Sequence, residues 1–297
     1  MSPKQLADAL GTSESSVRRW CDSGKLAIAK TAGGHRRISR AEALRFVRIS
    51  KLKVVRPELL AIGTERYDVQ SAQDLLRDSL KTGNEQVLTS ALTNLFTEGV
   101  SIAAICDGPL RDAMSDLGRM WAEGDKEHAI LKEHRATTLC VRALAHLRQH
   151  IDAPSTNAPV AIGGSPSEDP YLLPSWMVAT VLADLGFRDV NLGASMPVEL
   201  LATAAEETNA ELLWLSVSVS NLSNKFLKEI KGLILDVNAQ GRHLMIGGRA
   251  TDDYPWPDSP YLHVFTNLRE MSVFAKGYLA SRVSRHPMGN GHPITTN

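Results

Sequence analysis

The chain has 297 residues and a mass of 32.4 kDa, which is enough for two domains or three small ones. Hydrophobic residues make up 43% and charged residues 22%, a composition typical of folded globular proteins that excludes a disordered chain. No apolar run approaches the roughly 20 residues of a membrane helix, no signal sequence follows Met1, and three scattered cysteines exclude a disulfide framework. We therefore expect a cytoplasmic protein.

The net charge of zero conceals an uneven distribution along the chain. Residues 1–60 carry a net charge of +8, whereas the rest of the chain carries −8. Since a basic segment attracts polyanions, this asymmetry predicts a polyanion-binding head joined to an acidic body with a different task.

Two short helices are predicted at the beginning of the chain. Gly11-Thr12 ends the first, and Ser13 is placed to cap a second helix that ends at Gly24. The apolar face of the first helix consists of Leu6, Ala7 and Leu10. The inward face of the second contains Val17 and Trp20, and its outer face consists of Ser15, Ser16, Arg18 and Arg19. This order is the helix-turn-helix plan, in which the second helix enters the major groove of DNA.

A basic hairpin and a third helix are predicted next. Gly33-Gly34 is the expected hairpin turn, and the third helix begins after Ser39. The tip and return strand carry the basic residues Lys30, His35, Arg36 and Arg37. Because basic side chains neutralise phosphates and release counterions, the hairpin is predicted to contact the DNA backbone.

Residues 3–50 resemble the winged helix-turn-helix of MerR-type and excisionase-like regulators. The matching motifs are SESSVRRWCDSGKL at 13–26 and TAGGHRRIS at 31–39. The resemblance implies a DNA-binding domain over residues 1–55, with double-stranded DNA as its partner, the second helix as recognition helix and the hairpin as wing.

A four-helix bundle is predicted over residues 69–150, because helical periodicity continues through this stretch with short breaks at Gly83, Gly99 and Gly124. Pro109 is expected either to kink the third helix or to lie early in its regular part. Residues 51–67 and 151–159 are interpreted as linkers.

Short apolar runs alternate with helical stretches over residues 159–283, which predicts a five-stranded, doubly wound parallel sheet of flavodoxin-like type. The whole chain is thus a multidomain protein, α+β and then α/β, with residues 284–297 as a disordered tail. Ligands of such sheets bind at the carboxyl ends of the strands. Small residues fall there at Gly163-Gly164-Ser165, Gly193-Ala194-Ser195, Ser216–Ser220 and Gly247-Gly248.

Over residues 3–282 the order of domains resembles the light-responsive, cobalamin-dependent repressors of the MerR superfamily. The resemblance implies a cobalamin between bundle and strand ends, with a cobalt-binding histidine in an E/D-x-H-x-x-G loop after the first strand. The loop here is SPSEDPYLLP, in which Asp169 falls on the acid, Tyr171 on the histidine and Pro174 on the glycine. Because a phenol is a poor cobalt ligand, cobalamin bound through a protein histidine is not expected. Base-on cobalamin, another tetrapyrrole, or no ligand remain open.

The same resemblance implies further cofactor-binding residues on both sides of the site. On the bundle, Glu133 and His134 match the residues that cap the upper corrin face, and His134 is a candidate metal ligand. Trp121 matches the family tryptophan, although two extra residues separate it from the Glu-His pair. The sheet-side candidates are Ser165, Asp169, Tyr171, Ser216, Ser218, Gly247 and Gly248.

Together these features predict a sequence-specific DNA-binding transcriptional regulator, not an enzyme, that has a cobalamin-binding-like sensor and oligomerisation module. Its expected partners are DNA and further copies of itself, with no membrane. A corrinoid-dependent methyl carrier or methyltransferase-associated protein is the main alternative. A ligand-free scaffold, in which the module only oligomerises, is a third.

Overall fold

The computed structural model describes most of the chain. The described residues are 1–31, 33–60, 69–123, 126–220 and 223–285.

Three helices and a short hairpin form an N-terminal head. Its elements are α1 (Pro3–Leu10), α2 (Glu14–Asp22), β1 (Ala29–Lys30), β2 (Arg36–Arg37) and α3 (Arg40–Ser50). The side chains of Ser2, Ser13 and Ser39 cap the three helices by accepting backbone N–H bonds. Gly11, with a φ of 62°, takes the left-handed conformation that ends α1. Helices α1 and α2 lie within the predicted helical stretches, and the two short hairpin strands pair antiparallel.

The head extends further along the chain than the sequence predicts. The backbone N–H groups of Val55 and Arg56 donate to the carbonyl of Ala9 over 2.8 and 3.0 Å. A short 3₁₀ helix, Pro57–Leu60, then places Leu60 in the head core with 1% of its surface exposed. The predicted linker therefore begins at residue 61 or later, and residues 61–68 lie outside the described residues.

The helical bundle follows the predicted order, with one interruption. Its helices are α4 (Val69–Thr82), α5 (Glu85–Thr97), α6 (Ile102–Ile105), α7 (Arg111–Glu123) and α8 (Lys126–Arg148). The predicted third helix is divided into α6 and α7 by a π-helical turn, Cys106–Leu110. Gly108 there has non-helical φ and ψ of −101° and −106°, because Pro109 cannot donate the next helical hydrogen bond. The predicted break at Gly124 lies outside the described residues.

A five-stranded parallel sheet forms the C-terminal part, in the order β4-β3-β5-β6-β7. Its strands are β3 (Val160–Gly164), β4 (Arg188–Asn191), β5 (Ala210–Ser216), β6 (His243–Gly247) and β7 (Leu262–Phe265). Its helices are α9 (Leu172–Asp184), α10 (Leu201–Thr208), α11 (Asn224–Ala239) and α12 (Leu268–Arg285). The doubly wound sheet is confirmed. Helix α12 continues through Ser284 and Arg285, so the predicted tail begins later than expected, and its residues 286–297 lie outside the described part.

The bundle and the sheet share one hydrophobic core. Residues from α9, α12 and one face of the sheet pack with α4, α5, α7 and α8 in a single buried cluster. A second cluster lies on the opposite face, under α10 and α11. An ion pair between Arg148 of α8 and Asp189 of β4, at 2.7 Å, also joins the two modules. Bundle and sheet therefore form one body.

The head packs against this body through α3. The guanidinium of Arg48 binds both carboxylate oxygens of Asp184 at the end of α9, over 2.5 and 3.0 Å. The same guanidinium lies 3.9 Å from the ring centroid of Phe96 in α5. Arg45 adds a 3.2 Å contact with Asp152. The head is thus joined to both the bundle and the sheet.

Within the residues that the structure describes, no helix is both long and apolar enough to cross a membrane.

Candidate nucleic-acid interface and ligand cavity

The outer face of α2 presents the residues predicted to contact DNA. Ser15, Arg18 and Arg19 are exposed and Ser16 is half-buried, while Val17 and Cys21 on the opposite side enter the head core. Arg18 pairs with Glu14 one turn earlier at 2.7 Å. An exposed pair of this kind is weak, so Arg18 can exchange it for a phosphate or a base edge.

The hairpin lies beside the end of α2. Arg36 of β2 is half-buried and donates to Asp22 of α2 over 2.6 Å, whereas Lys30, His35 and Arg37 are exposed. The ion pair fixes the hairpin relative to α2. Helix and hairpin therefore form one basic surface. The sequence pattern did not indicate that Arg36 is paired with Asp22 on this surface.

A cavity of about 1070 Å³ lies between the bundle and the carboxyl ends of β5, β6 and β7. Helices α7 and α8 form one wall, and the loop 165–171 with the beginning of α9 forms another. Eight of the predicted cofactor-binding residues line it: Trp121, Glu133, His134, Tyr171, Ser216, Ser218, Gly247 and Gly248. The structure thus brings together the bundle and sheet candidates, which are distant in sequence.

Ser165 and Asp169 lie behind the cavity wall, where both are completely buried. The carboxylate of Asp169 accepts the backbone N–H of Tyr171 over 3.0 Å and the backbone N–H of Ser218. The hydroxyl of Ser165 donates to the carbonyl of Tyr171 over 2.9 Å. Burial raises the pKa of Asp169, and the N–H bonds from Ser218 and Tyr171 act in the opposite direction. These two residues hold the loop against β5 instead of contacting the cavity.

Tyr171 stands where the resemblance places a metal-binding histidine. The guanidinium carbon of Arg249 lies 4.6 Å from the centroid of the Tyr171 ring. The Nε of Arg249 donates to the carbonyl of Ser218 over 2.8 Å. The cavity floor therefore holds a stacked arginine–tyrosine pair that is anchored to the strand ends.

The bundle wall contributes residues that the sequence interpretation missed. Arg111, Gly118 and Arg119 of α7 line the cavity together with Trp121, and Thr137 and Thr138 line it beside His134 on α8. A side chain at Gly118 would meet open space, so this part of α7 is not closed by another element. Gly118 and Arg119 follow Arg111 by seven and eight residues, a spacing that places all three on one helical face. No sequence motif, however, indicated that this face lines a cavity.

Asp107 connects the cavity wall to the last helix of the sheet. Its carboxylate oxygens accept the backbone N–H groups of Leu268 and Arg269 over 2.9 and 2.8 Å. Asp107 lies in the π-helical turn of the bundle and is 6% exposed. A bundle side chain thus caps α12 across the interface, a role for which the sequence carried no signal.

The donor set of this cavity does not fit a cobalamin held by a protein imidazole from the sheet. Residues 165–174 contain no histidine, and the phenol of Tyr171 is a poor substitute. The space beside Gly163 is filled by Trp214. The indole of Trp214 donates to the hydroxyl of Ser175 on α9 over 3.2 Å and is 1% exposed.

Comparison with known proteins identifies two segments of the chain. Residues 1–48 match a family model described as a helix-turn-helix domain, and residues 72–148 match one described as a B12 binding domain. The second match covers the bundle. The head thus matches a DNA-binding domain and the bundle a corrinoid-binding one.

Two solved structures were compared with this chain. The monomethylamine corrinoid protein of Methanosarcina barkeri is 19% identical, with a TM-score of 0.52, over 71% of this chain and 100% of that one. A cobalamin-binding protein of Desulfitobacterium hafniense is 15% identical, with a TM-score of 0.36, over 72% of this chain and 99% of that one. The first of these likenesses shows the fold of the body.

Proposed function

We propose that this chain is a DNA-binding transcriptional regulator whose body is a sensor for a ligand in the cavity between bundle and sheet. The observation that carries this proposal is the union, in one chain, of a head that matches a helix-turn-helix domain and a bundle that matches a B12 binding domain. A cavity of about 1070 Å³ lies in the body to which that head is docked. No catalytic step is assigned to the chain, since the proposed role is regulatory.

In this proposal the head acts as a winged helix-turn-helix of the MerR type. Helix α2 enters the major groove with Arg18 and Arg19, and the exposed Lys30 and Arg37 of the hairpin contact phosphates. The ion pair between Arg36 and Asp22 keeps the two contact elements at a fixed spacing.

The test measures binding of the full chain to duplex DNA by fluorescence anisotropy at several salt concentrations, after selection of the preferred sequence. We expect a steep salt dependence, because the head carries +8. Arg19→Ala should cost about 1–3 kcal/mol on the preferred site and relax sequence preference, whereas Arg37→Ala should weaken all sequences alike.

Arg142→Ala is the matched control, since Arg142 is an exposed arginine of α8 that lies outside the head and pairs with Glu85 of α5. An Arg18→Ala/Arg19→Ala double variant that binds its preferred site like the unmodified protein would contradict the assignment of α2 to the groove.

A corrinoid-dependent methyl carrier is the second candidate function. The B12 binding domain match favours it, and so does the fold shared with the monomethylamine corrinoid protein. The absence of a histidine from loop 165–174 and the presence of the head argue against it. Tight binding of methylcobalamin with its own base displaced from cobalt would favour the carrier over the regulator.

A further inference from the structure

The lining of the cavity contains arginines, which the uncharged amide side chains of a corrin ring do not require. Arg111 and Arg119 lie on its bundle side and Arg249 on its floor. Two carboxylates, Asp107 and Glu133, also line it, and the first is engaged by the backbone of α12. Arg111 and Arg119 also have acidic neighbours on α7, so it is the pairing of each arginine, and not the count of charges, that distinguishes them.

Arg249 is the best placed of these cations to recognise a ligand. Among the described residues its only hydrogen bond is the one from Nε to the Ser218 carbonyl, so both terminal nitrogens keep their donors. Arg119, in contrast, is paired with Asp116, and Arg111 lies 3.8 Å from Asp112. A guanidinium anchored at Nε and stacked on a ring presents a planar fork that matches a carboxylate.

The rest of the lining suits a large flat apolar body. Trp121, Leu173, Met177, Trp214, Met245 and Phe265 contribute apolar surface. The volume of about 1070 Å³ is at the upper end of ligand pockets, which usually span roughly 300–1,000 Å³. A nucleotide or an amino acid would leave most of this space unfilled, whereas a macrocycle would occupy it.

We propose that the cavity binds a planar tetrapyrrole that carries carboxylate side chains, with Arg249 pairing with one carboxylate, instead of a corrinoid held through a sheet-side imidazole. This inference rests on the proposed sensor role of the cavity and specifies the ligand class. Haem, a free porphyrin and an open-chain bilin share this chemistry.

The experiment titrates the purified full chain with protoporphyrin IX and with its dimethyl ester, which has the same ring but no charged carboxylates. Quenching of tryptophan fluorescence reports occupancy, since Trp121 and Trp214 both line the cavity. Hydroxocobalamin, haemin and biliverdin are titrated in parallel. Comparing the affinities for haemin, biliverdin and protoporphyrin IX identifies which kind of carboxylate-bearing tetrapyrrole binds best. We expect one saturable site for the acid and an affinity at least about tenfold lower for the ester.

Arg249→Gln should lower the affinity for protoporphyrin IX about tenfold and abolish the difference between acid and ester. Arg142→Gln is the matched control and should behave like the unmodified chain. Because Arg249→Gln could disturb the strand ends, Gly118→Leu is a second variant. Its side chain would enter open space at the cavity wall and should weaken both porphyrins.

Equal affinities for acid and ester would overturn the proposal, and so would unchanged binding in Arg249→Gln or Gly118→Leu. Hydroxocobalamin binding more tightly than every carboxylate-bearing tetrapyrrole would overturn it as well. DNA binding is measured on the same samples. Intact DNA binding without porphyrin binding would refute the ligand class alone, whereas an unliganded chain that binds no duplex DNA would refute the proposed regulator.

Discussion

Gly248 shows that a small residue at a strand end can be required by the backbone itself. Its φ is +127°, and a Cβ at this position would lie 2.1 Å from the carbonyl oxygen of Val217. The resemblance marked Gly248 as a cofactor contact. It does line the cavity, but the close approach of β6 and the segment after β5 demands glycine whether or not a ligand binds.

Gly248→Ala should therefore lower the free energy of unfolding by about 2–4 kcal/mol, from backbone strain and overpacking together. Gly232→Ala is the control, because Gly232 lies in α11 with open space around its Cβ position. That change should raise stability by about 0.5–1 kcal/mol through helix propensity. Urea denaturation measures both values, and equal stability of the two variants would contradict the argument.

His243 and His263 form a second residue-scale feature, which the sequence did not indicate. They lie on adjacent strands, with Nδ1 of His243 2.9 Å from Nε2 of His263. One ring must donate and the other accept. Burial, together with the neighbouring His243, lowers the pKa of His263 to about 4.

Since the unfolded-state pKa of histidine is near 6.5, the unfolded chain binds this proton before the folded chain does. Stability should therefore fall as the pH decreases from about 6.5 toward 4. Burial lowers the pKa of His150 in the same direction, and the raised pKa of Asp169 opposes it. The difference between the unmodified protein and His263→Gln isolates the pair. The urea midpoint of His263→Gln should vary less with pH than that of the unmodified protein. The control His35→Gln, at an exposed site, should have the same pH profile as the unmodified protein.

At the scale of elements, α9 connects the cavity to the head. Its first turn, with Leu173 and Pro174, lines the cavity, and Asp184 at its other end binds Arg48 of α3. Arg48 also covers Phe96, a buried residue of α5. One helix thus contacts both the cavity and the head.

Asp184→Asn should loosen the head from the body without unfolding either. The side chain of Asp184 is 10% exposed and that of Arg48 is 27% exposed. Replacing the Asp184 carboxylate by an amide therefore leaves a largely buried guanidinium without its charge partner. We expect faster amide hydrogen exchange throughout α3, by about tenfold, with exchange in α8 unchanged. Asp236→Asn, at an exposed position on α11, is the control. Unchanged exchange in α3 would show that the ion pair does not hold the head.

At the scale of the whole molecule, local sequence patterns were sufficient to predict those features that depend on the residues of a single element. The cap at Ser13, the start of α3 after Ser39 and the strand–helix alternation after residue 159 were predicted from neighbouring residues and are confirmed. A kink at Pro109 was one of two predicted alternatives, and the π-helical turn there agrees with it. Contacts between distant segments were not predictable. Such contacts depend on the angles at which elements pack, and residue spacing in the sequence does not determine these angles. Examples are Arg249 with Tyr171, Asp107 with α12, and Arg48 with Asp184.

The full 297-residue chain should bind its operator as a dimer or a larger species. A single head of this type covers one half-site, and one small module buries only about 600–1,000 Å² of surface on DNA, which gives limited specificity. We expect the body, to which the head is joined through Arg48 and Arg45, to supply the surface for association. Sedimentation equilibrium with duplexes that contain one or two copies of the half-site should give at least two chains on the longer site, with cooperative binding.

The Arg18→Ala/Arg19→Ala variant, which lacks the groove contacts, should lose the complex but keep any self-association of the body. One chain per two-site duplex at saturation would contradict the prediction, since a monomer that reads the whole operator needs no second head.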